Sequence, residues 1–231
     1  MRVPRQLRDA AAHVFVADLA EPELVVDDRR HLERVLRLRA GEGITVSDGA
    51  GRWRRCRFDD TLEPVGDIEH DERPVPPVTI AVALIKGERL DWAVQKLTEL
   101  GVDRIVPFGA ARSVVRWDAG RAAQHLERLR RIARQAAMQS RRTWMPAVDE
   151  LRPFADVAAE AGAALAEPDG DAPSLDRPLV LVGPEGGWTE EEASAPLARV
   201  GLGPTVLRAE TAAVAAGTLL CALRAGVVAP G

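Results

Sequence analysis

The sequence predicts a mainly parallel α/β domain that follows a small β-barrel with one helix. Residues 70–77 hold three prolines among charged side chains, and such a segment cannot continue a helix or a central strand. Before this segment the apolar runs are short, whereas after it strand-like and helix-like patterns alternate. We therefore expect one domain over residues 1–72 and a second over residues 78–231.

Four short apolar runs supply the expected barrel, at residues 13–16, 24–26, 44–46 and 53–58. The string Asp48-Gly49-Ala50-Gly51 predicts a tight hairpin, because its residues tolerate the positive φ that such a turn requires. Residues 31–38 have the apolar spacing of a short helix. In a regular strand Trp53, Arg55 and Arg57 would share one face, which suits RNA and equally suits a solvated sheet surface.

The second domain begins with a continuous apolar run at residues 78–85, typical of a strand buried on both faces. Arg89–Leu100 carries one apolar helical stripe and stops at Gly101, a predicted C-cap. The last helix is apolar on nearly every side, so we expect it to be buried in the fold or in a subunit interface. The further predicted strands are residues 104–108, 163–166, 179–182 and 205–208, and the further helices are residues 118–140, 153–161, 190–199 and 212–225.

Composition restricts the class of function. The chain has 231 residues, of which 46% are hydrophobic and 29% charged, as in ordinary globular proteins. No apolar run approaches the roughly 18 to 20 residues that span a bilayer, so no membrane partner is expected. The two cysteines and four histidines are scattered without metal-site or disulfide spacing. We expect a cytoplasmic protein without a metal.

The net charge of −4 conceals two basic segments. Residues 29–57 hold nine arginines and three acids, and residues 112–142 hold nine arginines and two acids. Such segregation in an acidic chain favours an RNA partner, although a single basic segment is equally explained by solvated helix faces with local ion pairs. The candidate RNA-binding residues are Arg37, Arg39, Arg52, Arg54, Arg55, Arg57, Arg112, Arg141 and Arg142.

The most informative string is Gly183-Pro184-Glu185-Gly186-Gly187, between a predicted buried strand and a helix with the capping box Thr189…Glu192. Glycines at the carboxyl end of a strand let a ligand approach the backbone closely. The three glutamates that follow would repel a phosphate. A ligand with cationic character and an adenosine fits better, and a plain strand-to-helix turn is the alternative.

A second string, Leu207-Arg208-Ala209-Glu210-Thr211, leads into the last helix. Because that helix is expected to be buried, we expect Arg208 and Glu210 to lie in a largely desolvated place, where charges need partners. The two residues are candidates for function, and a structural ion pair between them is the alternative.

Four strings together resemble the ribosomal RNA small subunit methyltransferase E family in order and spacing. They are Lys86-Gly87…Gln95-Lys96…Glu99-Leu100-Gly101-Val102, Gln139-Ser140-Arg141-Arg142…Pro146, Gly183-Pro184-Glu185-Gly186-Gly187 and Leu207-Arg208-Ala209-Glu210-Thr211-Ala212. His31-Leu32…Val35-Leu36-Arg37-Leu38 and Asp48-Gly49-Ala50-Gly51 resemble the PUA-like domain of that family. The resemblance spans essentially the whole chain.

The resemblance implies a SPOUT-type α/β methyltransferase domain, a parallel sheet with a trefoil knot, preceded by a PUA-like β-barrel. It also implies a homodimer that uses S-adenosylmethionine (AdoMet) to methylate N3 of a uridine in 16S ribosomal RNA, either free or in the assembled small subunit. The cofactor-binding residues it implies are Leu165, Glu167, Pro168, Gly183, Pro184, Glu185, Gly186, Gly187, Leu207, Arg208, Ala209, Glu210 and Thr211.

For catalysis the candidates are Arg208, to stabilise the uracil anion, and Glu210, with Glu185 as another carboxylate that could orient AdoMet or accept the proton. The chain departs from the family's EAxEQSGR string, since Gln135-Ala136-Ala137-Met138-Gln139-Ser140-Arg141-Arg142 replaces both glutamates and the glycine. This departure puts in doubt a role for an acidic group on that helix. Two other functions stay open: another RNA-modifying SPOUT enzyme, such as a ribose 2′-O-methyltransferase, and a non-catalytic RNA-binding protein that keeps the fold.

Overall fold

The computed structural model of the chain describes residues 4–229, which form two compact units. The first unit is the chain up to Arg73 together with Ala137–Met145, and the second is Pro74–Ala136 together with the chain from Pro146 onward. Residues 137–145 lie in the range that the sequence assigned to the second domain, yet they pack in the first unit. Across residues 4–229, no helix combines the length and the apolar character needed to cross a membrane.

The first unit is built on a four-stranded sheet in the order β1-β2-β3-β4. β1 and β2 are parallel and the other two pairs are antiparallel. Its elements are α1 (Arg5–Asp9), β1 (His13–Phe15), α2 (Val26–Arg30, continued by a π-helical turn at His31–Val35), β2 (Gly43–Ser47), β3 (Arg52–Arg57) and β4 (Glu63–His70). The apolar run at residues 24–26 makes no strand. Val26 instead begins α2 with an exposed side chain, so the predicted helix starts earlier than its apolar spacing indicated.

Strand β3 does not have the face predicted for it. Its pairing with β4 shifts register between Trp53 and Arg55, as at a β-bulge. One extra residue reverses which side chains point inward, because the side-chain period of a strand is two. Trp53 is therefore buried in the unit, while Arg55 and Arg57 are exposed. The prediction that these three residues share a face is wrong.

The second unit contains a seven-stranded parallel sheet in the order β11-β9-β10-β5-β6-β7, with β8 also paired to β6. This confirms the predicted parallel α/β architecture. The strands are β5 (Thr79–Ala83), β6 (Arg104–Gly109), β7 (Ala147–Val148), β8 (Arg152–Pro153), β9 (Ala163–Asp171), β10 (Leu179–Val182) and β11 (Ala198–Val200). The helices are α3 (Arg89–Leu100), α4 (Ala119–Gln139), α5 (Phe154–Ala158), α6 (Glu190–Ala193) and α7 (Ala209–Arg224).

The edge of this sheet differs from the prediction. The helix predicted at residues 190–199 ends at Ala193, and Ala198–Val200 forms β11 against β9. The strand predicted at residues 205–208 does not form. Because β11 already occupies the free edge of β9, the later segment has no strand to pair with. It becomes a loop in which Val206 is 88% exposed.

The strand order places a crevice between β5 and β10. From β5 the chain continues through α3 to β6 on one side, whereas from β10 it continues through α6 to β11 on the other side. Ligands of open parallel sheets bind outside the carboxyl ends of the strands at such a switch point.

Helix α7 packs against α3 at Gly217. A Cβ atom there would lie 2.6 Å from the Cδ2 atom of Leu97, so only glycine allows this approach. The fold buries one face of α7, through Ala209, Ala213, Ala216, Gly217, Leu220 and Cys221. The opposite face, which includes the exposed Thr211 and Thr218, is not covered by the part of the chain that the structure describes.

Candidate functional site

The glycine-rich loop follows β10 and lies over the aromatic ring of Trp188. This ring stacks on Phe108, with 6.2 Å between the ring centroids, and its Nε1 atom donates a hydrogen bond of 3.3 Å to the carbonyl of Ala166. A Cβ atom at Gly183 would lie 3.0 Å from Trp188, so the start of the loop has no room for a side chain. Gly187 has φ +68°, and no atom lies within 4 Å of where its Cβ would be. The loop is thus tight on its inner side and open at Gly187.

Arg112 holds the loop from the side of β6. Its Nη1 atom donates to the carbonyls of Gly186 at 3.3 Å and of Trp188 at 2.9 Å. A Cβ atom at Gly186 would lie 3.1 Å from the Cβ of Arg112, so Gly186 permits this close contact. The sequence proposed Arg112 for RNA, whereas its guanidinium here binds the glycine-rich loop.

The predicted capping box of α6 is present and extends further than expected. Thr189 Oγ1 accepts from the backbone N–H of Glu192, and the Glu192 carboxylate accepts from the backbone N–H of Thr189 at 3.0 Å. The same carboxylate accepts from the N–H of Ala111 at 2.8 Å, although Glu192 is buried. One carboxylate therefore joins the segment after β6 to the segment after β10.

Arg89, at the start of α3, brings together the two acidic candidates. Its Nη1 atom lies 3.0 Å from Glu185 Oε1 and its Nε atom 3.7 Å from Glu210 Oε1. Glu210 thus pairs with Arg89 rather than with Arg208. The Arg208 side chain is exposed at the N-cap of α7, where its carbonyl accepts from the N–H of Ala212 at 2.8 Å. The expected desolvation holds for Glu210, whose side chain is 14% exposed, and is wrong for Arg208.

Two buried polar atoms without a partner belong to segments that follow strands of this sheet. Within residues 4–229, three buried side-chain atoms have no hydrogen-bond partner: Glu210 Oε2, Ser113 Oγ and Arg54 Nε. The first two follow the carboxyl ends of the sheet strands. A buried acceptor without a partner costs about 1–3 kcal/mol, which a ligand with donor groups or positive charge would recover. The site therefore fits a ligand that carries hydrogen-bond donors.

The remaining cofactor candidates occupy the neighbouring strand and the start of α7. Leu165 is buried in β9, opposite Leu181 of β10, while Glu167 is half-buried and Pro168 exposed further along β9. Leu207 is half-buried, Ala209 is buried and Thr211 is exposed. Because β9 and β10 are parallel neighbours, their carboxyl ends meet at the edge that carries the glycine-rich loop.

The arginines of the first unit divide into exposed and internal residues. Arg37, Arg39, Arg52, Arg55 and Arg57 are exposed. The guanidinium of Arg54 is directed inward, where it donates to the carbonyls of Leu19 at 2.9 Å and Gly66 at 2.6 Å. Arg54 therefore stabilises the unit instead of offering its charge to a ligand.

Arg141 also has a structural task. It follows α4 with φ +60°, and the N–H groups of Arg141 and Arg142 bond back to the carbonyls of Met138 and Ala137, the pattern of a Schellman cap. Its Nη2 atom donates to the carbonyl of Ala10 at 2.9 Å, and burial lowers the pKa of the guanidinium. The carbonyl of Arg142 binds His13 Nε2 at 3.0 Å.

Sequence reasoning missed Arg89, Trp188 and Ser113 as parts of this site. Arg89 closely follows β5, whose place next to β10 becomes known only from the strand order. The N-terminal position on α3 was nevertheless a signal, because the start of a helix that follows a parallel strand lies at the ligand-binding edge.

The chain matches two family models. One, described as "RNA methyltransferase domain", covers residues 71–221, and another, described as "RNA methyltransferase PUA domain", covers residues 26–60. The chain is 36% identical over 218 residues to the ribosomal RNA small subunit methyltransferase E of Mycobacterium bovis, covering 82% of both chains. It is 32% identical to the protein of the same name from Bacillus subtilis, covering 80% of this chain and 84% of the relative.

Among solved structures, the chain is similar to a ribosomal RNA small subunit methyltransferase E from Neisseria gonorrhoeae bound to S-adenosyl methionine. The TM-score is 0.75 at 27% identity, with 93% of this chain and 97% of that chain covered. These matches confirm the predicted fold class, a SPOUT-type α/β domain preceded by a PUA-like domain.

Proposed function

We propose that this chain methylates N3 of one uridine in 16S ribosomal RNA, because it belongs to the ribosomal RNA small subunit methyltransferase E family. Membership makes the chain an RNA methyltransferase that uses AdoMet. The observation that carries the assignment of the site is the buried Oε2 atom of Glu210, which has no partner and lies beside the glycine-rich loop that Arg89 binds.

The residues present fit AdoMet. Gly183–Gly187, Leu207–Thr211 and the end of β9 (Leu165, Glu167 and Pro168) would hold it, and the Glu210 carboxylate would accept hydrogen bonds from its donor groups. When bound, AdoMet supplies an electrophilic methyl group on a positively charged sulfur. Gly187 leaves the backbone open to close approach. The Glu185 and Glu210 carboxylates, both paired with Arg89, would lie beside the cationic ligand.

The uridine must lose its N3 proton during the reaction, because N3 is protonated at neutral pH. Glu185 is the more accessible carboxylate, with 34% of its side chain exposed against 14% for Glu210. We assign Glu185 as the proton acceptor and leave Glu210 to the cofactor. Arg208, exposed at the N-cap of α7, is proposed to stabilise the negative charge that develops on the uracil.

A homodimer is proposed for the active form. Its support is the outer face of α7, where Thr211 and Thr218 are exposed and Val214 and Leu219 are half-covered, together with the exposed Val206. Cover from a second copy would also desolvate Arg208, where its charge would act more strongly on the base. Light scattering at micromolar concentration should give the mass of two chains, and a single-chain mass would contradict the dimer.

RNA recognition is proposed for five of the exposed arginines of the first unit, Arg37, Arg39, Arg52, Arg55 and Arg57. The substrate is 16S ribosomal RNA, free or within the small subunit, and this partner supports a cytoplasmic location. The direct test is to incubate the protein with labelled AdoMet and unmethylated small subunits, and then to map the label. Label at N3 of one uridine is expected, whereas label on a ribose 2′-oxygen or no transfer would overturn the proposal.

Arg208→Lys tests the catalytic assignment, because it keeps the charge and loses the planar guanidinium. We expect single-turnover methylation to fall about 100- to 1000-fold, the usual cost of one lost transition-state donor. AdoMet affinity and melting temperature should stay near their normal values. The matched control is Arg177→Lys, since Arg177 is a surface residue paired with Asp171. If AdoMet affinity or stability fell with the rate, Arg208 would be structural.

A further inference from the structure

A cavity of about 220 Å³ lies beside the proposed cofactor site, within the second unit. Its walls are the end of β5 with the first turn of α3, the segment before α4, and the first half of α4. None of the residues proposed to bind the cofactor lines it. Its volume is below the roughly 300–1,000 Å³ of pockets that hold whole drug-sized ligands, so it suits a smaller group than AdoMet.

One wall of this cavity is a pair of stacked aromatic rings. The rings of Trp117 and His125 lie 4.8 Å apart between centroids and 15° from parallel. Both residues are half-buried, so the stack is reachable from solvent. A flat π surface at an open cavity is the feature on which unstacked nucleic-acid bases bind. Trp117 also packs on the main core, but that packing leaves the cavity in front of the rings unfilled.

Positive charge surrounds the stack. Arg116 and Arg121 line the cavity and are exposed. The cavity also contains two carboxylates, and both are engaged: Asp91 forms an ion pair with Arg128, and Asp118 accepts from the N–H of Arg121 at 2.9 Å at the start of α4. The cavity therefore offers an aromatic stack for a base and two exposed arginines for phosphates.

The segments that line the cavity also hold the cofactor loop. Gly87 lies two residues before Arg89, which pairs with Glu185 and Glu210. Val115 lies three residues after Arg112, which binds the carbonyls of Gly186 and Trp188. The cavity and the glycine-rich loop are consequently neighbours at the same edge of the sheet.

We propose that this cavity binds one unstacked base of the RNA substrate, adjacent to the base that is methylated. The bound base extends the Trp117–His125 stack, and Arg116 and Arg121 contact the flanking phosphates. The methylated base itself requires the proton acceptor at Glu185, which the cavity lacks. The inference rests on the proposed function in taking RNA as the substrate.

The test compares Trp117→Ala with the wild-type full-length protein, using a short single-stranded oligoribonucleotide that contains all four bases. Loss of one base stack should weaken RNA binding about 5- to 150-fold. The factor should be the same at low and high salt, because stacking releases no counterions. Arg121→Ala should instead reduce the salt dependence. Trp117→Phe should restore most of the affinity.

Trp92→Ala is the matched control, because Trp92 is 44% exposed on α3 and does not line the cavity. It should leave RNA affinity unchanged. RNA should also quench tryptophan fluorescence in the wild type and in Trp92→Phe, but not in Trp117→Phe. This readout holds even if Trp117→Ala fails to fold.

Unchanged RNA affinity in a folded Trp117→Ala variant would overturn the proposal. Loss of AdoMet affinity with unchanged RNA affinity would also overturn it, by assigning the cavity to the cofactor. If RNA binding depended on Trp117 while the wild type transferred no methyl group, the base-binding cavity would stand and the proposed methylation would fail. The two proposals are thus tested separately.

Discussion

Arg141 occupies a backbone position that favours glycine. Its φ of +60° lies in the left-handed region, where a side chain costs roughly 1–2 kcal/mol. The family string quoted for this segment has glycine there. In this chain the guanidinium offsets the strain by donating to the carbonyls of Ala10 and Ala11. The side-chain hydrogen bonds of Arg141 thus compensate for the strain that a glycine at this position would not have.

This balance predicts different outcomes for two substitutions. Arg141→Gly loses the hydrogen bonds and relieves the strain, whereas Arg141→Ala loses the hydrogen bonds and keeps the strain. Both variants should be less stable than the wild type, with the alanine variant lower than the glycine variant by about 1 kcal/mol in urea unfolding. Equal stability of the two variants would show that the φ angle carries no strain.

His13 makes the stability of the protein depend on pH. Its ring is buried between Thr45 Oγ1 at 2.9 Å and the carbonyl of Arg142 at 3.0 Å. Because a carbonyl only accepts, Nε2 carries the proton and Nδ1 accepts from the Thr45 hydroxyl. Desolvation lowers the pKa of His13 from 6.5 to about 4, against the raising effect of the Arg142 carbonyl.

Since the unfolded chain binds more protons than the folded chain between these two pKa values, stability is lost as pH falls from 6.5 to about 4. The loss from this group should reach about 3 kcal/mol. Urea unfolding across this pH range measures it in the wild type and in His13→Gln. The variant should be less stable near neutral pH and should show a flatter pH dependence. An equally steep curve would exclude His13 as the cause.

Among the elements, the packing of α7 on α3 depends on Gly217. Gly217→Val places a branched side chain where the first added carbon would already lie 2.6 Å from Leu97 and 3.2 Å from Val102. Overpacking of this kind costs about 1–3 kcal/mol or more. Gly120→Val is the control, because it makes the same change at an exposed glycine of another helix, α4. Thermal unfolding should show a clear loss of stability for Gly217→Val, whereas the stability of the control should stay within about 0.5 kcal/mol of the wild type. Comparable losses in both variants would exclude the contact with Leu97 as the cause.

Elements that are determined by their own residues could be predicted from the sequence. The stripe and C-cap of α3, the buried strands β5 and β10, and the capping box of α6 are local patterns, and each is present. Strand β11 and the bulge in β3 depend on pairing partners elsewhere in the sequence, so no local sequence pattern predicts them. The role of Arg89 likewise depends on the adjacency of β5 and β10.

For the whole molecule, the structure indicates which arginines should contribute to the salt dependence of RNA binding. Each phosphate contact contributes a log–log slope of about −0.7 on single strands and −0.9 on duplexes. Replacing the exposed Arg55 and Arg57 with alanine should therefore reduce the slope of RNA binding by about 1.4 to 1.8. Arg54→Ala removes an inward guanidinium, so it should lower stability and leave the slope unchanged. Fluorescence anisotropy over a potassium chloride series measures both, and a slope unaffected by the double variant would remove these residues from the RNA surface.

The segment Ala137–Met145 delays the folding of the first unit while the chain is being synthesised. Trp144 packs where a Cβ of Gly51 would lie 2.6 Å from its ring, and Thr143 donates to Asp71 at 2.8 Å, so the first unit is incomplete without this segment. Met145 leaves the ribosome 72 residues after Arg73. At roughly 5–20 residues per second, this interval lasts about 4 to 14 seconds. During that time the nascent first unit keeps one side open to solvent, to chaperones and to neighbouring nascent chains. The unit that emerges first therefore finishes folding only after the whole leading portion of the second unit, Pro74–Ala136, has been made.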